Sequence, residues 1–143
     1  MINCIVTGHG EFSVGLTHAL EMIAGPQANM VALPFREEDP LETYVDNMAN
    51  LKTKLTEDSD TLFIFTDLLG GTPFNQAMLL KGDNPNISVI AGTNLPMLLE
   101  FMGQNLMGTT PAEILTQIIE SAKTGMVVGE LKAAEEVDEV DGI

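Results

Sequence analysis

Short apolar runs alternate along this chain with segments whose apolar residues recur at helical spacing, and that alternation limits the fold to very few architectures. Ile2–Thr7, Met30–Leu33, Thr61–Thr66 and Ile87–Ala91 read as strands buried on both sides. Between them, Phe12, Leu16, Ala19, Leu20 and Ile23 fall on one helical face, as do Leu41, Val45, Met48, Leu51 and Leu55. Gly25-Pro26 stops the first helix. Asp39-Pro40-Leu41-Glu42 opens the second, with Asp39 as cap and Pro40 as first helical residue. Thr72-Pro73 opens a third helix, to about Leu80, with Thr72 as its cap; Gly92-Thr93-Asn94 leads into a fourth, ending near Gly103. Thr110-Pro111-Ala112-Glu113 caps a fifth, whose apolar face is Ile114, Leu115, Ile118, Ile119 and Ala122. Strand–helix alternation predicts an α/β fold with a doubly wound, mainly parallel sheet and helices on both faces. The expected strand order is 2-1-3-4, with a last short strand at Met126–Val128.

A chain of 143 residues makes one domain of this kind, expected over 1–129. Residues 130–143 hold six acids against Lys132 and read as a solvated acidic tail. The formal net charge of −15 argues against nucleic acid or anionic lipid as a partner. The single cysteine, Cys4, excludes an internal disulfide and a multi-cysteine zinc site. No basic head precedes an apolar segment, and no apolar run approaches ~18 residues. The expected compartment is the cytoplasm.

In a sheet of this order the functional site lies beyond the carboxyl ends of the strands, where strands 1 and 3 part. His9 follows the first strand and Asp67 the third, so the topology sets side by side two residues 58 positions apart. A carboxylate that accepts one ring N–H of a histidine leaves the other nitrogen with a free lone pair. That nitrogen is then a nucleophile, a base or a metal ligand. Gly8 and Gly10 leave the ring uncrowded. Gly70 and Gly71, followed by Thr72 at a helix start, offer free N–H groups suited to a phosphoryl group. Residues 68–80 and 90–99 carry no charge, which leaves His9, Glu11 and Asp67 as the ionisable groups expected on this rim. Phe12, Leu68, Leu69 and Met97 give the rim an apolar character suited to docking another protein. His18 lies opposite the apolar stripe of its helix and is expected in solvent. Neither a cofactor nor a metal is expected.

Three stretches carry a family resemblance. They are Gly8-His9-Gly10 after the first strand, Thr66-Asp67 followed by Gly70-Gly71-Thr72-Pro73-Phe74-Asn75, and Ile90-Ala91-Gly92-Thr93-Asn94-Leu95-Pro96-Met97. Together, in this order over residues 1–128, they resemble enzyme IIA of the mannose family of the bacterial phosphoenolpyruvate-dependent sugar phosphotransferase system. The resemblance implies that His9 is the phosphorylated histidine and Asp67 its supporting aspartate. It implies phospho-HPr as donor, a separate enzyme IIB as acceptor, and sugar entry through the membrane components IIC and IID. It also implies a homodimer that exchanges the strand near Met126–Val128.

Other readings stay open at this point. A two-component receiver domain shares the strand order and carries phosphate on an aspartate at the place of Asp67, but it needs an acid pair where this chain has Thr7-Gly8-His9-Gly10. A flavin or nucleotide module would be poorly served by a chain with no tryptophan and one tyrosine. The IIA-like subunit of the phosphoryl-dependent dihydroxyacetone kinase differs only in its acceptor. The sequence does not name a sugar.

Overall fold

A computed structural model describes residues 1–131. Four parallel strands, β1 (Asn3–His9), β2 (Met30–Phe35), β3 (Leu62–Thr66) and β4 (Ile87–Ile90), form one sheet in the order 2-1-3-4. Five helices follow the expected alternation: α1 (Phe12–Ala24), α2 (Leu41–Leu55), α3 (Thr72–Lys81), α4 (Leu95–Leu106) and α5 (Pro111–Thr124).

The period-two pattern of the strands divides the core between the two faces. Cys4, Val6, Phe63 and Phe65 point to one face, with Leu20 of α1, Leu98 and Phe101 of α4, and Ile114 and Ile118 of α5. Ile5, Leu62, Ile64 and Ile87 point to the other, where Tyr44 and Met48 of α2 and Ala77 of α3 cover them. Phe101 lies 5.3 Å from the Phe63 ring and 5.1 Å from that of Phe65, centroid to centroid. Burial pushes the Cys4 thiol well above its ordinary range, so it behaves as a small core hydrophobe.

Several boundaries differ from expectation. β1 extends through His9, and β2 runs through Pro34 to Phe35, where proline is tolerated because β2 is an edge strand. Pro40, not Asp39, caps α2. The Asp39 carboxylate turns back to accept the Arg36 N–H at 3.0 Å. α3 is capped by Gly71, so Thr72 is its first residue rather than its cap. α4 passes Gly103 to reach Leu106. Met126–Val128 follow α5 without joining the sheet, and their side chains are exposed. The expected acidic tail lies outside the described residues from position 132 onward.

Candidate functional site

β1 and β3 are neighbours in register from Asn3–Leu62 to Thr7–Thr66, so their next residues emerge together at the sheet's carboxyl edge. Thr7 and Thr66 are fully buried and spend their hydroxyls on adjacent strands. Thr7 Oγ1 donates to the Leu33 carbonyl at 2.6 Å, and Thr66 Oγ1 to the Ile90 carbonyl at 2.7 Å. With its one proton given away, Thr7 Oγ1 must accept from the Tyr44 hydroxyl, 2.7 Å away. Burial raises the Tyr44 phenol to about 12; the Thr7 bond lowers it and the Asp67 charge raises it. Tyr44 therefore stays protonated and remains the donor. This stitched floor lies under the site.

On it, His9 and Asp67 meet. One carboxylate oxygen, Asp67 Oδ2, sits 2.8 Å from His9 Nδ1 and accepts the His9 backbone N–H at 2.9 Å. The other, Oδ1, is buried with no partner among the described residues. Burial raises the Asp67 carboxyl pKa, but the two hydrogen bonds from His9 and the charge of its ring outweigh that and hold it below its ordinary value. Asp67 is thus an anion, which only accepts hydrogen bonds. Nδ1 carries the proton facing it, so the uncharged form of the ring has its lone pair on Nε2. The imidazole is half exposed (49%) and the carboxylate mostly covered (14%). The base of the pair is fixed while its reactive edge is open. Phe35 flanks the ring at 6.3 Å between centroids and packs in turn on Tyr44 at 4.6 Å.

The glycines have different duties from those expected. A Cβ on Gly8 would come within 2.8 Å of Asp67 Cγ and 2.6 Å of Phe12 Cδ1, so Gly8 makes room for the carboxylate rather than opening the ring. Gly10 has φ +58° and open space around it; it is there for the backbone. Gly71 is the residue pressed against the imidazole, since a Cβ there would stand 2.8 Å from His9 Cε1.

The expected anion cradle is only partly free. The Gly71 N–H donates to the Leu68 carbonyl at 3.1 Å, closing a turn in which Gly70 has φ +81°, and Pro73 has no N–H. Gly70 and Thr72 are left with N–H groups that have no acceptor among the described residues. Asn75 Nδ2 pins the turn through the Gly70 carbonyl at 3.0 Å, a role for Asn75 that the sequence reading did not assign.

Of the four residues expected on the docking rim, Leu68 and Leu69 are exposed, at 59% and 72%, and Phe12 is half-buried. Met97 is not on the rim. It is 2% exposed because Asn94 Oδ1 caps α4 through the Met97 N–H, which turns that position into the core. His18 is exposed, as expected. The sequence reading also missed Arg36. β2 ends two residues later than expected, and its following loop brings Arg36 onto the rim, where its Nε and Nη2 pair with Glu11. Among the described residues no group of three or more His, Cys, Asp or Glu side chains could hold a metal, and no helix is long and apolar enough to cross a membrane.

An aspartate-held imidazole with an open Nε2, beside two free N–H groups, is an arrangement for receiving an electrophile and steadying its negative oxygens. Comparison with known proteins gives the family. The family model of the PTS system fructose IIA component matches residues 3–119. The fructose-specific EIIA component of Bacillus subtilis (strain 168) is 33% identical over 102 residues, which are 71% of this chain and 69% of that protein. The mannose-specific EIIAB component of Escherichia coli (strain K12) is 28% identical over 134 residues, 94% of this chain but 41% of that longer protein. Among solved structures, the phosphotransferase system component EIIA from Streptococcus agalactiae superposes with a TM-score of 0.77 at 31% identity, covering 90% of this chain and 97% of that one. All three are named as EIIA or EIIAB components of the phosphotransferase system, which sets aside the kinase subunit and the receiver domain.

Proposed function

From the premise that this chain belongs to the fructose–mannose IIA family, and so is a phosphoryl carrier of the sugar phosphotransferase system, we propose that His9 Nε2 is the atom that carries the phosphoryl group. The observation behind this is the double hold of Asp67 Oδ2 on the His9 N–H and Nδ1, which leaves Nε2 as the ring nitrogen of His9 that Asp67 does not engage.

The donor is phospho-HPr and the acceptor an enzyme IIB. Transfer to His9 breaks the donor's bond to phosphorus as the bond from Nε2 forms. Positive charge builds on the ring, and Asp67 balances it across Nδ1. Transfer of this kind depends on in-line positioning and on stabilising charge, more than on proton chemistry. Gly70 and Thr72 supply N–H groups to the phosphoryl oxygens. Gly71 supplies space for the ring. Phe12, Leu68 and Leu69 form the apolar rim on which the partner proteins dock.

Sugar enters through IIC and IID, and the carrier works in the cytoplasm. The relatives' names include fructose and mannose; which sugar this chain serves is set by its partners. The exposed apolar side chains of Met126, Val127 and Val128 favour a homodimer in which that segment pairs with a second copy. Sedimentation at micromolar concentration tests this, and a monomer mass would count against it.

The experiment for the central reading is transfer from phospho-HPr to three proteins. The wild type and His18→Gln should take up the label, and His9→Ala should take up none. Labelling of His9→Ala would end the proposal.

A further inference from the structure

Arg36 is the only arginine in the chain. It stands at the carboxyl edge of the sheet, one residue beyond Phe35, whose ring flanks His9. The backbone there is tied together: Phe35 is the register partner of His9, and the Gly10 N–H donates to the Phe35 carbonyl at 2.6 Å. The Arg36 N–H is held by Asp39 Oδ2 and the Asp39 N–H by the Arg36 carbonyl, so the start of this loop is fixed beside His9. The guanidinium meets the carboxylate of Glu11, two residues after His9 in the chain, through Nε to Oε1 and Nη2 to Oε2. Both side chains are well exposed, at 43% and 60%. An ion pair in such a position is held weakly. The remaining charges of the loop, Glu37, Glu38 and Asp39, are acidic, as are Glu11 and Asp67.

A phosphoryl group on His9 adds about two negative charges to this acidic edge. A guanidinium is the side chain whose planar fork fits two phosphoryl oxygens at once. Resting on the Proposed function's reading of His9 as the acceptor, we propose that Arg36 is a phosphoryl-binding residue that exchanges Glu11 for the phosphoryl oxygens when His9 is phosphorylated. Glu11 holds the guanidinium beside the empty ring and is released when the ring is loaded. The rim then presents a pairing in one state and a free carboxylate in the other, which lets donor and acceptor proteins tell the two apart.

The test uses Arg36→Gln and Glu11→Gln in the full chain. The readout is the equilibrium between donor and carrier at a fixed ratio of phospho-HPr to HPr. A structural ion pair would shift both variants the same way, because either change breaks the same contact. The exchange predicts opposite shifts. Arg36→Gln should lower the loaded fraction's equilibrium constant about fivefold, and Glu11→Gln, which frees the arginine, should raise it. In 15N spectra the single arginine Nε–H signal should move on loading, and should not move in His9→Ala under the same conditions. Shifts of one sign in both variants, or an Nε–H signal unmoved by loading of the wild type, overturn the inference. Failure of the wild type to load at His9 would instead overturn the reading beneath it.

Discussion

Replacing Asp67 by asparagine changes one atom and one charge, and the contacts around it set what that should cost. Oδ2 accepts from both the His9 N–H and Nδ1. The backbone N–H can only donate, so the amide must keep its carbonyl oxygen there. Its NH2 then falls at the buried position of Oδ1, which has no partner among the described residues. The ring proton therefore stays on Nδ1 and Nε2 stays nucleophilic. What goes is the charge. A hydrogen bond to a charged group contributes roughly 1.5–3 kcal/mol and a neutral one roughly 0.5–1.5. Loss of that difference raises the barrier by about 1–1.5 kcal/mol, a slowing of about 5- to 13-fold. Rapid-quench measurement of label transfer from phospho-HPr gives the rate. A rate equal to wild type would show that Asp67 does not balance the ring's charge. A loss as complete as that of His9→Ala would show that the tautomer argument is wrong.

Gly71→Ala should slow transfer about tenfold with the fold intact, because its methyl group would stand 2.8 Å from His9 Cε1 and must push the ring off Asp67; circular dichroism and the same quench assay separate the two effects. Tyr44→Phe removes the donor to Thr7 and should lower stability by about 0.5–1.5 kcal/mol in urea unfolding. Asp67 is held below its ordinary value by His9, so the stability it contributes is present above the ordinary carboxylate range and lost as pH falls through and below it. Unfolding followed against pH should accordingly show a shallower acid loss in Asp67→Asn than in the wild type.

The strand order and the pairing of His9 with Asp67 were legible because they follow from period and topology: apolar runs fix four strands, and a 2-1-3-4 sheet brings the ends of the first and third together. Details that depend on a single hydrogen bond were not legible. Asp39 looked like a helix cap, yet its carboxylate serves the Arg36 N–H. The Gly71 N–H looked free for an anion, yet it closes the turn on Leu68. Met97 looked like a rim residue until the Asn94 cap set the register of α4. Arg36 escaped because the second strand was expected to end at Leu33, while an edge strand tolerates proline and carried β2 on to Phe35. The signal that could have found it was present all the same: one arginine, at the end of a strand adjoining that of His9.

The most direct test of the central claim is nitrogen NMR of the protein after loading by phospho-HPr, with the histidine rings labelled. His9 should show phosphorus bonded at Nε2 with its proton kept on Nδ1, while His18 stays unchanged. Phosphorus found on Nδ1 of His9, on His18, or on the Asp67 carboxylate would contradict the account.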